Sequence, residues 1–187
     1  MANSTVAAGC FTGRLQPIHN GHIELMLRVL ANHELLIVAI TNPDAESRIE
    51  DEAHPTRHLA ESNPFNFDQR SAMVHAALTE ARIDRSRYSI VPFPLHDAQR
   101  VGNYVPLDAM QYVRVFSPWE VRKVRLLAAY GYSVREVTSN IESRISGTDI
   151  RAAITSGSPW KHLVAGEVAN LIEQYSDALF NDFGSSI

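Results

Sequence analysis

Apolar and polar positions along the chain fall into two patterns: short apolar runs, and longer stretches where apolar residues recur every three or four positions. Val6 to Thr12 is a short apolar run ending at Gly13 and predicts a first buried strand. Directly after it Ile23, Met26, Leu27 and Leu30 stand at i, i+3, i+4 and i+7, which gives a helix with one apolar face. Leu35 to Thr41 is almost continuously apolar, as expected for a parallel strand covered on both sides. Strand, helix and strand within about forty residues predict a right-handed crossover unit.

The pattern breaks between Asn42 and Phe67, a stretch of Pro, Asn, Asp, Glu, His and Arg. A loop of that length in a compact domain usually serves as a lid or binding loop, or else lacks order. A helical period returns over Asp68 to Arg82, through Ala72, Met73, Ala76, Ala77 and Ala81. Ser89 to Leu95 then predicts a third strand whose two prolines mark a strand end or sheet edge. After a polar connection over His96 to Pro106, Tyr112 to Ser117 predicts a fourth strand. Ser117-Pro118 begins a helix that runs to Gly131, and Tyr132 to Thr138 predicts a fifth strand. Ser146 or Thr148 caps a second strand-to-helix turn. A last helix carries Val164, Val168, Leu171, Ile172, Tyr175 and Leu179, and residues 180–187 read as a loose tail. The expected fold is α/β, a Rossmann-like doubly wound parallel sheet of about five strands with C-terminal helices, in one domain over residues 1–187. In such sheets ligands bind at the carboxyl ends of the strands where the strand order reverses.

Composition narrows the function. The chain of 187 residues is 45% hydrophobic and 20% charged, with a formal charge of -4 from 17 Lys and Arg against 21 Asp and Glu. That balance does not suit a general nucleic-acid binder, which needs a basic face. No apolar run reaches membrane-spanning length and Met1 to Thr5 has no signal-peptide character, so a cytoplasmic protein without membrane partners is expected. The single Cys10 excludes an internal disulfide. Any anion site must therefore come from local placement of cations.

That placement occurs at Gly9 to His22, where Arg14, His19 and His22 gather at a helix start. A helix N-terminus offers free N–H groups and a positive dipole end, which suit a phosphate. Gly13 and Gly21 allow close backbone approach, and Pro17 stiffens the turn. His19 and His22 are three apart, on one side of the first turn, and nearby anions would favour their protonated forms. Taken singly, such residues are more often caps or solvated surface. Metal ligation by the two His is less suited than phosphate binding, because an Arg beside the site suits an anion. With Arg151 they could surround a triphosphate, for which positioning and charge neutralisation suffice.

Gly13-Arg14-Leu15-Gln16-Pro17-Ile18-His19-Asn20-Gly21-His22 resembles the Gly-Arg-x-x-Pro-x-His-x-Gly-His signature of the nucleotidyltransferase superfamily, and Ile145 to Arg151 resembles its Ile-Ser-Gly-Thr-x-Ile-Arg signature. Asn63 to Arg70 is similar to a segment of the nicotinamide mononucleotide adenylyltransferase group, as is the order of elements. The resemblance implies transfer of a nucleoside monophosphate from a nucleoside triphosphate to an acceptor, with release of pyrophosphate and with Mg2+ carried on the phosphates rather than in a protein metal site. By matching positions it implies that His19 and His22 stabilise the transferring phosphate. Arg14, Ser146, Thr148 and Arg151 would hold the β and γ phosphates, with Gly147 in the same turn and Gly13 and Gly21 beside the nucleotide.

The acceptor is set elsewhere. Members that bind nicotinamide mononucleotide usually stack its ring on a Trp after the third strand. Here Asp97 to Tyr104 has no Trp, and Arg100 and Tyr104 fall in that slot. With Arg70, they are the expected acceptor-binding residues, and they suit a small anionic acceptor. Related sequences include cytidylyltransferases that attach CMP to a phosphonate such as phosphonoformate, which makes CTP the favoured donor. ATP with nicotinamide mononucleotide is the alternative, and a silent nucleotide sensor a third reading. A homo-oligomer is compatible with the sequence.

Overall fold

The computed structural model describes residues 8–52, 55–137 and 144–181, the side chains of 177–181 excepted. His54, Thr138, residues 1–7 with Val6 at the start of the expected first strand, and the 182–187 part of the expected tail lie outside the described residues. Five strands, β1 (Ala8–Gly13), β2 (Leu35–Thr41), β3 (Tyr88–Phe93), β4 (Met110–Arg114) and β5 (Val134–Val137), form one parallel sheet in the order β3-β2-β1-β4-β5. The chain moves outward from β1 to β3 and then returns to lay β4 on the other side of β1. The strand order thus reverses between β1 and β4, where a crevice opens at the carboxyl ends.

Side chains of the central strands alternate between two cores. Phe11, Leu36, Val38 and Ile40 pack with α1 (Asn20–Leu30), α2 (Phe67–Glu80), α4 (Gly147–Ser156) and α5 (Gly166–Asn181). Cys10, Ile37 and Ala39 face α3 (Pro118–Ala129) and the turn around Val101. Both faces of β1 and β2 are buried, which is why their sequences are continuous apolar runs. Fully burying one such side chain contributes roughly 1.5–3 kcal/mol, so these strands form a rigid base for the loops at their ends.

Several boundaries differ from the pattern reading. β4 begins at Met110, because Met110 and Gln111 pair with Gly9 and Cys10, and it stops at Arg114 rather than Ser117. Gln111 is fully buried and accepts the Thr12 hydroxyl at 2.7 Å, a polar core position that an apolar-run criterion passes over. α2 begins at Phe67 because Asn66 and Gln69 form a reciprocal capping box. β3 takes the edge its prolines require, with Pro92 in register with Ile40. α3 ends just before Gly131, whose φ of 94° requires glycine. Ser146, not Thr148, caps α4 by accepting from the Asp149 N–H. α5 continues to Asn181, so residues 180 and 181 are helical. Its first turn is held by Glu80, whose carboxylate accepts from the Gly166 and Glu167 N–H groups at 3.1 Å each. No described helix is long and apolar enough to cross a membrane.

Candidate active site

β1 delivers the chain to the crevice at Gly13, and the turn after it is drawn back against the protein by its own side chains. Gln16 is buried and clasps the main chain of Phe65 both ways, its Nε2 donating to the Phe65 carbonyl at 2.7 Å and its Oε1 accepting the Phe65 N–H at 3.0 Å. The Gln16–Pro17 bond is cis. His19 is the extended N-cap of α1, and the His22 N–H bonds its carbonyl at 2.8 Å. The two imidazoles stack, with centroids 3.6 Å apart and planes 21° from parallel. Phe11 meets the His22 ring edge-on at 5.5 Å.

Ser146, Gly147 and Thr148 at the start of α4 lie against this turn. A Cβ on Gly147 would stand 2.6 Å from the Gln16 carbonyl oxygen, so only glycine lets the α4 N-terminus come this close. Arg151, one turn into α4, locks the junction by donating to the Gln16 carbonyl at 2.6 Å and to the Thr148 hydroxyl at 3.3 Å. Two helix N-termini thus share one edge of the crevice, with Arg14 beside them.

The opposite wall comes from α3 and from the segment after β2. Trp119 and Lys123 project from α3, and Lys123 donates to the Thr12 carbonyl. Arg57 lies over the Trp119 ring at 4.6 Å from its centroid. At the mouth Phe116, 45% exposed, is flanked by Arg114 and Arg144 at 5.9 and 5.3 Å. Arg114 also donates to the Gly21 carbonyl at 3.1 Å and pairs with Glu24 at 3.2 Å, which fixes the first turn of α1. The cleft is open to solvent at its mouth.

Among the described residues, five cations, Arg14, Arg57, Arg114, Lys123 and Arg144, line this cleft against one carboxylate, Glu120. In a chain of net charge -4 that is a strong local excess. It acts on the histidines. Burial first, then Arg114 and Arg144, pushes His19 down to about 4, only partly opposed by Asp149. Burial, His19 and Lys123 hold His22 well below its ordinary value. With no anion bound, both rings are neutral at pH 7. Both Nδ1 atoms are sealed from solvent without a hydrogen-bond partner among the described residues. A sealed acceptor is less costly than a sealed donor, which assigns the proton to Nε2, the ring nitrogen left open to the cleft. Burial also lowers Arg14 to about 9, Arg57 to about 10 and Lys123 to about 8.

The structure therefore brings Gly13, Arg14, His19, Gly21, His22, Ser146, Gly147 and Thr148 to one cleft, with Arg151 behind them. It does not bring the three expected acceptor residues there. Arg70 is 1% exposed and donates to the carbonyls of Arg14, Thr41, Asn42 and Asn66, so its guanidinium ties the loop ends together. Arg100 sits on an exposed turn beside Asp97, and Tyr104 packs against the α3-side core. Arg57, Trp119 and Lys123 occupy the wall instead. Arg57 lies in the Asn42 to Phe67 stretch, whose cations the sequence offers to an anionic acceptor, whereas Trp119 and Lys123 on α3 carry no signal along the chain that marks them as lining a cleft. Among the described residues, no three His, Cys, Asp or Glu side chains converge to hold a metal ion.

The comparisons agree with this geometry. The phosphonoformate cytidylyltransferase of Streptomyces viridochromogenes is 37% identical over 173 residues, covering 92% of this chain and 94% of that protein. The nicotinamide-nucleotide adenylyltransferase of Thermococcus kodakarensis is 29% identical over 90% of this chain and 84% of its own length. Among solved structures, a bifunctional NMN adenylyltransferase/ADP ribose pyrophosphatase from Francisella tularensis, complexed with AMP and a manganese ion, superimposes with a TM-score of 0.63 at 18% identity. It shares the fold over 95% of this chain, which spans about half of that longer protein, 53%. The model of the cytidylyltransferase-like family matches residues 10–153, from β1 through the turn at Ser146, so both helix-start turns of the cleft lie inside the match. On that evidence the chain belongs to the cytidylyltransferase-like family and is a nucleotidyltransferase.

Proposed function

We propose that the enzyme transfers CMP from CTP to a small anionic phosphonate such as phosphonoformate, releasing pyrophosphate, in the cytoplasm. The observation that carries the reading is the wall of cations around a compact cleft, in a chain 37% identical to a phosphonoformate cytidylyltransferase. A phosphonate oxygen attacks the α-phosphorus, a P–O bond forms there, and the bond to the β-phosphate oxygen breaks as pyrophosphate departs. The nucleophile is already an anion, so no proton has to be removed from it. The residues act by position and charge. His19 and His22 donate from Nε2 to the oxygens of the transferring phosphate. The N–H groups at the start of α4, with Arg14, receive the departing pyrophosphate.

Nucleotidyltransferases of this kind generally use a divalent metal. Mg2+, when bound, neutralises the phosphate oxygens. A metal bound to the triphosphate oxygens would keep several of its own waters and would need no cage of protein ligands. The alternative pair, ATP with nicotinamide mononucleotide, draws on the 29% relative.

Pyrophosphate release should be measured for CTP and ATP against phosphonoformate and nicotinamide mononucleotide. Turnover of CTP with phosphonoformate is expected to exceed each other pair by about 100-fold or more. Comparable or faster turnover of ATP with nicotinamide mononucleotide would overturn the proposal.

A further inference from the structure

The arginines near the phosphate turns differ in how their donors are used. Arg14 donates to the Arg57 carbonyl at 3.2 Å, Arg151 to Gln16 and Thr148, and Arg70 to four carbonyls. Arg57 is different. One face of its guanidinium lies on Trp119, the Glu120 and Asp51 carboxylates stand within its field, and no side-chain hydrogen bond from it forms among the described residues. The backbone that carries it is fixed: Asn63 Nδ2 donates to the Arg57 carbonyl at 2.8 Å, and buried Asp51 of the same segment pairs with Arg122 of α3 at 3.1 Å. Lys123, at the cleft floor, has one donor on the Thr12 carbonyl and two remaining. A planar fork held face-on by an aromatic ring, with an ammonium lining the same cleft, matches a small dianion.

The direction of the site decides which anion. The α4 turn lies against the Gln16 carbonyl, whereas Lys123 of α3 reaches the Thr12 carbonyl at the other end of the same turn. The α4 turn and the α3 wall thus meet opposite ends of the segment that leads into the histidine pair. In an in-line displacement the nucleophile enters opposite the leaving group. With pyrophosphate on the α4 side, the acceptor must enter from the α3 side. We infer that Arg57 and Lys123, set against Trp119, form the subsite that holds the anionic head of the acceptor, a small phosphonate or phosphate dianion. This rests on the direction of CMP transfer proposed above.

Trp119 is one of two tryptophans, and the other, Trp160, lies in the core on the opposite face of the sheet. Its fluorescence therefore reports the subsite directly. The full chain, saturated with a non-hydrolysable CTP analogue and Mg2+, is titrated with phosphonoformate. A saturable change is expected in the unaltered protein and none in Trp119→Phe. Arg57→Gln should weaken the midpoint about tenfold or more, and Arg57→Lys, which keeps a charge but not the fork, should recover part of the loss. In turnover, Arg57→Gln should raise KM for the acceptor by the same factor and leave KM for CTP within about twofold. An unchanged midpoint in Arg57→Gln, a signal that persists in Trp119→Phe, or equal rises in both KM values would overturn the inference. Failure of the proposed function would appear separately, as absence of CMP transfer by the unaltered protein.

Discussion

The two walls of the cleft are built in different ways. The wall of α1 and α4 is made of two contiguous turns, Gly13 to His22 and Ile145 to Arg151, in which helix N-termini, glycines and cations arrive together. The wall of α3 is made of residues from separate places: Arg57 from the segment after β2, with Trp119 and Lys123 from the helix after β4. The first wall uses main-chain N–H groups and fixed turns, so its chemistry is general to phosphate. The second uses side chains on a scaffold that tolerates exchange, so it can differ between enzymes that share a reaction. A single fold can in this way keep one transfer chemistry while its acceptor changes.

The largest test of this division falls on the histidine pair. His19→Ala and His22→Ala should each lower kcat for pyrophosphate release by roughly 10²–10³, as for loss of a donor to the reacting phosphate, with less change in either KM. Because the rings stack at 3.6 Å and act together, the double variant should cost far less than the product of the two. Full turnover in either single variant would remove these residues from the mechanism.

Acid titration gives a smaller effect. His19 titrates at about 4 in the folded protein and at about 6.5 in an unfolded chain. Below pH 6.5 the unfolded chain therefore binds more protons, and stability is lost as pH falls from 6.5 toward 4. At pH 5.5 the loss from His19 alone is about 1–2 kcal/mol relative to pH 8, and His22 adds to it in the same direction. Urea unfolding at the two pH values should show this loss, and His19→Gln should reduce it. An equal pH dependence in the variant would contradict the burial argument.

The smallest effect is expected outside both walls. Arg100→Gln and Tyr104→Phe should change KM for the acceptor by less than about twofold, since surface substitutions away from a site are near neutral. An effect as large as that of Arg57→Gln would move the acceptor off the α3 wall.

Legibility in the sequence followed the same line. The strand and helix order could be read because β1 and β2 are apolar on both faces, and α1 and α5 carry apolar stripes. β4 was displaced by two residues because Gln111, a polar residue with its amide bonded to Thr12, sits in the core. The start of α2 was obscured because its signal is the Asn66–Gln69 box rather than a hydrophobic step. Arg70 and Arg100 read as free cations near the right loops. Nothing local distinguishes an Arg whose donors are filled by four carbonyls from one whose donors face a ligand.

The sequence by itself determined the reaction class and the phosphate-binding turns, because contiguous residues impose a turn and a helix start whatever surrounds them. Tertiary structure alone decided the charge state of the histidines, which depends on burial and on cations brought from distant places, Arg57, Arg114, Lys123 and Arg144. It also decided which arginines face the cleft. Hydrogen-bond saturation and the meeting of Arg57, Trp119 and Lys123 are properties of packing between distant segments, and no spacing along the chain encodes them.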